Sequence, residues 1–259
     1  NTYVLVGLGE VLRKQKKFFE SLDYYLKAFK IDPENRFAML GLGDAYRGLK
    51  EREKSLDIWR QYLFLNPLDY SITTRVADAY KQLGNEKQAE VYYLKAIEIN
   101  VNNKFALMGL GDLYYKQGKY SMAVVYWEKL LKVEPQLINI LTMLGNIYRK
   151  KKSYNDAIKF YEKALTQDPQ NAYAIFGLAD SFMSLKKYED ALIYYEKMKK
   201  IDAKNPKVWV KLGECCLEIA NLKEAEKAFR KGLSVGAGKF GWYGIARLKE
   251  LEGNDKESL

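Results

Sequence analysis

Seven consecutive windows of 34 residues (2–35, 36–69, 70–103, 104–137, 138–171, 172–205 and 206–239) run through the chain without an insertion or deletion. The eighth place in each window holds a small residue: Gly9, Gly43, Ala77, Gly111, Gly145, Ala179 and Gly213. The twentieth holds Ser21, Ser55, Ala89, Ala123, Ala157, Ala191 and Ala225, and the twenty-fourth an aromatic: Tyr25, Trp59, Tyr93, Trp127, Tyr161, Tyr195 and Phe229. A constant period over this length forces a stack of like supersecondary units. Each buries its apolar face only against its neighbours, and the stack presents a long surface.

Each window divides into two stretches of helical period around a short polar turn. In the fourth window Leu107, Leu110, Gly111 and Tyr114 share one helix face; after Gln117-Gly118-Lys119, so do Ala123, Trp127 and Leu130. Small residues at the eighth and twentieth places let the two helices approach closely, and the aromatic at the twenty-fourth fills the space beside them. All five prolines (Pro33, Pro67, Pro135, Pro169, Pro206) lie between windows, where a missing amide donor breaks no helix. Nothing reads as a strand.

Leu-Gly-x-x-Tyr, then Ala, then an aromatic, then Pro, at this period, resembles the tetratricopeptide repeat. The fifth window shows it best, with Leu144, Gly145, Tyr148, Ala157, Tyr161, Ala164 and Pro169. Departures are local: Val101 and Ala203 replace the proline, Cys216 replaces the tyrosine, and only the seventh window has Trp (Trp209) at its fourth place. The resemblance implies an all-α, right-handed α-solenoid of helix-turn-helix units, a single array over residues 1–259. Trp242 to Ala246, followed by Glu252 to Asp255, read as the first helix and turn of a partial eighth repeat at 240–259. With no initiator Met and a stop where a second helix would begin, the chain is expected to be a fragment of a longer protein.

Composition narrows the chemistry. There is no histidine, and the only cysteines, Cys215 and Cys216, are adjacent, with Cys216 on the core face of its helix. No glycine-rich phosphate loop is present, so no catalytic residue, metal site or cofactor is expected. The formal charge is +10, from 43 basic and 33 acidic residues. Lysines crowd the turns within hairpins (Lys14, Lys16, Lys17; Lys116, Lys119; Lys150, Lys151, Lys152) and would emerge along one edge. Such an edge is either a solvated rim or a polyanion-binding ridge. Its few aromatics argue against nucleic acid. No apolar run has the length of a membrane span. The Lys- and Tyr-rich composition suits a bacterium, with cytoplasm and periplasm or envelope both open.

In the family resembled, first helices line a concave groove through places 2, 5, 6, 9, 12 and 13. Place 9 is acidic in six windows: Glu10, Asp44, Asp78, Asp112, Asp180 and Glu214, with Asn146 the exception. Place 12 is basic in Arg13, Arg47, Lys81 and Arg149, which gives three acids a basic neighbour at i+3. Asp180 has none: Phe176, Gly177, Met183 and Ser184 surround it in its own helix, and Asp112 is similar, with Lys116 one turn on. Both lie among apolar groove residues, Phe105, Met108 and Tyr115, then Met143, then Tyr173, Phe176 and Met183. The expected binding centre comprises these residues with Asn146, and its ligand would carry Lys or Arg and apolar side chains. An aromatic at place 2 recurs with a glycine at place 6 in Tyr3/Gly7, Phe37/Gly41, Phe105/Gly109 and Tyr173/Gly177. The first two pairs, with Asp44, form a second candidate groove. The glycines serve either close helix packing or a row of side-chain pockets. Place 5 holds no lysine (Val6, Leu40, Thr74, Met108, Thr142, Phe176, Val210), unlike members that clamp chaperone C-termini. The expected function is a non-catalytic scaffold or adaptor that holds a partner peptide or helix, in a setting such as a bacterial envelope or motility assembly. The alternatives are polyanion binding and service as an accessory domain of an enzyme outside this segment.

Overall fold

A computed structural model describes residues 1–253, so Asn254 and Asp255 of the turn expected at 252–255, and the rest of the partial eighth repeat to 259, lie outside the described residues. The described residues form fifteen α-helices and no strand. First helices are α1 (Thr2–Lys14), α3 (Arg36–Gly48), α5 (Tyr70–Gln82), α7 (Lys104–Lys116), α9 (Ile138–Lys150), α11 (Ala172–Ser184), α13 (Pro206–Glu218) and α15 (Lys239–Leu251). Second helices are α2 (Phe18–Ile31), α4 (Arg52–Leu65), α6 (Glu86–Ile99), α8 (Tyr120–Val133), α10 (Tyr154–Gln167), α12 (Tyr188–Ile201) and α14 (Leu222–Ser234). The helices gather into two compact units, Asn1–Glu134 and Pro135–Leu259.

Local chemistry sets the ends of the helices. Asn35, Asn103 and Asn171 cap α3, α7 and α11, each side-chain oxygen accepting from a backbone amide inside the helix, and Asp69 caps α5 in the same way. Every hairpin turn contains one left-handed residue at the same place: Lys16, Lys50, Gly84, Gly118, Lys152, Lys186 and Ala220, with φ between 58° and 78°. Glycine adopts this conformation freely, whereas a Cβ meets the following carbonyl oxygen. Four of the turns carry lysine there.

The aromatic at place 24 is the centre of each packing unit. Tyr25, Trp59, Tyr93, Trp127, Tyr161, Tyr195 and Phe229 are all at most 1% exposed. Within a hairpin the ring lies on the small residue at place 8. A Cβ on Gly43 would stand 2.2 Å from Trp59 Nε1, and one on Gly111 would stand 2.3 Å from the Trp127 ring. The same ring then reaches the next unit. A Cβ on Gly41 would lie 2.1 Å from Tyr25, on Gly109 2.4 Å from Tyr93, and on Gly177 2.3 Å from Tyr161. The place-6 glycines are therefore packing positions, and the hollows expected beside Phe37, Phe105 and Tyr173 are filled from beneath by these rings. Of the four glycines at place 6 in the first seven repeats, Gly7 is the one whose added Cβ would meet nothing within 4 Å.

The last helix breaks the period. α15 begins at Lys239, 33 residues after α13 begins at Pro206, because α14 has 13 residues where α12 has 14. The eighth unit thus starts one residue before 240, and Phe240 and Gly244 become its place-2 and place-6 pair. A Cβ on Gly244 would lie 2.2 Å from Phe229, as the other place-6 glycines require.

Candidate partner-binding grooves

A rule of charge placement runs along both units. Three of the four basic residues at place 12 pair forward with the acid at place 9 of the next repeat: Arg13 Nη1 lies 3.6 Å from Asp44, Lys81 Nζ 3.8 Å from Asp112, and Arg149 Nη1 3.2 Å from Asp180, while Arg47 pairs with Asp44 of its own helix. In hairpins where place 24 is tyrosine, its hydroxyl donates to the place-9 side chain, at 3.2 Å for Tyr25 and Glu10, 2.8 Å for Tyr161 and Asn146, and 2.7 Å for Tyr195 and Asp180. Tyr93 donates to Asp78 likewise. A buried hydroxyl needs an acceptor, which accounts for Glu10, Asp78, Asn146 and Asp180 at place 9 of the four hairpins with tyrosine at place 24.

This overturns the expectation of an unpaired Asp180. Its carboxylate accepts from Tyr195 within its own hairpin and from Arg149 one unit back, and both partners lie outside the helix neighbours that a scan of α11 covers. Asp112 takes Lys81, while the Lys116 expected beside it turns to Glu86 at 2.9 Å. Burial raises the pKa of Asp78 and of Asp112 above the ordinary carboxylate value, against the pull of nearby cations. Burial also pushes the Tyr25 hydroxyl up to about 12 and raises that of Tyr195, with the Asp180 charge adding to the effect. These groups titrate as structural partners.

In the first unit, Asp44 is held by three guanidiniums: Arg13, Arg47 at 3.2 Å and Arg75. The Arg47 and Arg75 guanidiniums also stand 5.8 and 6.0 Å from the Trp59 ring centroid. Arg75 occupies place 6, where four of the other repeats have glycine (Gly7, Gly41, Gly109 and Gly177), and stands beside the Trp59 ring. Phe105 is 65% exposed and Phe37 55%, each beside a cation of its own helix (Lys104, Arg36) 5.3 Å from the ring centroid. Tyr3 stands 80% exposed on α1. Met108 is half-buried on α7. Tyr115 is only half-buried and packs against Tyr120 and Trp127 at 5.4 and 5.3 Å, a hairpin contact instead of the free groove aromatic expected.

In the second unit, Tyr173 is 81% exposed at place 2 of α11. Phe176 and Met183 are half-buried against the cluster that contains Tyr195 and Leu212, and Phe176 meets the Tyr195 ring edge-on at 6.0 Å. Met143 and Asn146 are likewise half-buried on α9. The first-unit and second-unit residues of the expected centre thus form two faces. Lys207 Nζ sits 4.5 Å above the Phe176 ring, and Phe240, absent from the sequence-based site, is 62% exposed on α15. The repeated aromatic-and-glycine pair would have revealed it had the register slip before Lys239 been known.

Other chemistry has little to work with here. Cys215 is fully buried, its thiol pushed up to about 12 by burial, and Cys216 is 3% exposed. Among the described residues no group of three or more His, Cys, Asp and Glu could hold a metal, and no helix is long and apolar enough to cross a membrane.

Paired helices repeated at this spacing, packed repeat against repeat within each compact unit, define an all-α helical-repeat solenoid. Sequence profiles of the tetratricopeptide repeat match residues 3–35, 73–103 and 108–172, and that of the anaphase-promoting complex, cyclosome, subunit 3 matches 150–232. The C-terminal part of a TPR repeat-containing protein from Cytophaga hutchinsonii superposes with a TM-score of 0.73 at 16% identity, covering 93% of this chain and 99% of that one. YrrB, described as a TPR protein with an unusual peptide-binding site, gives 0.65 at 17% identity over 74% of this chain and 97% of its own. A tetratricopeptide repeat protein from Parabacteroides merdae gives 0.60 at 19% identity over 98% of both chains. No curated protein matches the chain by sequence. The chain is a tetratricopeptide repeat protein. Solenoids of this class in general present extended surfaces to protein partners.

Proposed function

We propose that this protein is a non-catalytic interaction scaffold that holds peptide or helical segments of a partner on the first-helix faces of its two units. The observation that carries the reading is the exposure of aromatic rings at place 2. Phe105 and Tyr173 stand 65% and 81% open, while Ala106 and Ala174, their helix neighbours, are fully buried. The fold needs no ring at that place, since Ser71, Asn139 and Lys207 occupy it in other units. Exposed aromatics on a rigid helix are effective anchors because they bury a large area at little cost in side-chain entropy. The peptide-binding site described for YrrB is consistent with this use of the fold.

The place-9 carboxylates serve the scaffold itself, so charge reversal at Asp180 would test stability, not recognition. The direct test is a pull-down from host lysate with Phe105→Ala and Tyr173→Ala variants beside Phe64→Ala, a second-helix residue 87% exposed. A partner lost from the place-2 variants and kept by Phe64→Ala supports the groove reading. Equal retention by all three removes it.

A further inference from the structure

In the second unit a cavity of ≈ 530 Å³ opens between α13 and α15. Its lining is mostly apolar: Val210 and Ala237 are each 8% exposed, and Phe240, 62% exposed, contributes to its edge. Val210 stands at place 5 of α13 and Phe240 at place 2 of α15, both groove places once the shifted register is applied. The connection beside it is thin, because Gly236 lines the cavity with φ 103° and a Cβ there would meet nothing within 4 Å. The volume lies within the range of roughly 300–1,000 Å³ typical of ligand sites, which combine apolar walls with a few polar groups.

The polar groups are unequal in sign. Lys207, Lys211 and Glu214 line the cavity, and Lys211 Nζ pairs with Glu214 at 2.7 Å. Lys207 has no carboxylate in ion-pair range among the described residues; its ammonium rests over Phe176. Lys239, also without such a carboxylate among the described residues, lies 5.4 Å from the Phe240 ring centroid. Among the described residues, two ammonium groups beside this apolar hollow therefore have no carboxylate partner.

We propose that this hollow seats one large apolar side chain of a partner peptide whose flanking residues are acidic. The apolar group lies against Val210, Ala237 and Phe240, and the carboxylates face Lys207 and Lys239. This rests on the groove reading above and reverses the ligand charge expected from Asp180, whose own charge Arg149 answers. Seating a Leu- or Phe-sized side chain strengthens binding by about 10- to 100-fold.

The test is panning of a random nonapeptide phage library on the wild-type chain, then affinity measurement of the retained peptides. The variants are Phe240→Ala, Val210→Glu, Lys207→Glu/Lys239→Glu and Tyr173→Ala/Phe176→Ala, each checked for wild-type helicity. The expected consensus is Leu, Ile, Met or Phe flanked by Asp or Glu, weakened about 10- to 100-fold by Phe240→Ala. The double Lys variant should exchange the acidic preference for a basic one. Phe240 is exposed, so its variant serves if Val210→Glu does not fold. A basic consensus, or wild-type affinity for Phe240→Ala, overturns the assignment. If affinity is lost only with Tyr173→Ala/Phe176→Ala, the groove stands and the cavity is rejected; if no peptide is retained, both fall.

Discussion

Arg149 Nη1 lies 3.2 Å from Asp180 Oδ2, thirty-one residues away in the first helix of the next unit. The same carboxylate accepts the Tyr195 hydroxyl at 2.7 Å. One side chain thus joins the two helices of its hairpin and ties the hairpin to its predecessor.

Removing that carboxylate leaves a buried hydroxyl without an acceptor. Asp180→Ala is expected to destabilise by about 1–3 kcal/mol, the cost of an unsatisfied buried polar group. Asp180→Asn should cost less, because Asn146 already accepts from Tyr161 in the preceding hairpin at 2.8 Å. Adding Tyr195→Phe to Asp180→Ala should recover part of the loss. Urea denaturation of the wild type, Asp180→Ala, Tyr195→Phe and the double variant forms the cycle, and full additivity would show that the hydrogen bond contributes nothing.

Two glycines at the same place should respond in opposite directions. Gly177→Ala drives a methyl into the Tyr161 ring, 2.3 Å from Cζ, and is expected to destabilise by about 1–3 kcal/mol through overpacking. Gly7→Ala meets nothing within 4 Å and should stabilise α1 by about 0.5–1 kcal/mol. Thermal melts of both variants check the pair, and a shared sign would refute the packing role assigned to place 6.

These two features mark the limit of what the sequence makes legible. The 34-residue period, the small residues at places 8 and 20 and the aromatic at 24 are strictly local patterns, and they place seven hairpins with their cores. The partner of Asp180 and the ring beneath Gly177 lie one unit back, at offsets of 31 and 16 residues, where a helix-by-helix scan does not look. Gly177 left packing and pocket both open because the ring against it, Tyr161, belongs to the previous hairpin. The groove residue Phe240 was hidden by one residue missing from α14, a shift that hydrophobic spacing over so short a stretch does not resolve.

The left-handed turn residues offer a stabilising substitution. Lys152 has φ 61° where Gly118 has φ 73° in the equivalent turn. A non-glycine residue in this region costs roughly 1–2 kcal/mol, so Lys152→Gly is expected to raise stability by about 1 kcal/mol, measured as a shift in urea midpoint at constant slope. A lower midpoint would mean that the lysine side chain stabilises the turn by more than its backbone strain costs.

Burial raises the pKa of Asp78 in the folded chain above the ordinary aspartate value of 3.8. A folded acid with a raised pKa binds its proton more tightly than the unfolded chain does. Its favourable contribution is complete below the unfolded value and is lost as pH rises through the folded one. Asp78→Asn, which can still accept from Tyr93, should therefore gain stability relative to wild type at neutral pH. The advantage should shrink as pH falls towards 3.8. Paired urea titrations across that range check it; a difference independent of pH would show that Asp78 does not titrate abnormally.

The central claim is that the first-helix faces are the working surface. The most direct measurement is in-cell photocrosslinking in the host, with benzoylphenylalanine replacing Phe105, Tyr173 or Phe64 one at a time. The account predicts discrete partner adducts from positions 105 and 173 and none from position 64. Adducts at 64 with none at 105 or 173 would place recognition on the second helices and contradict it.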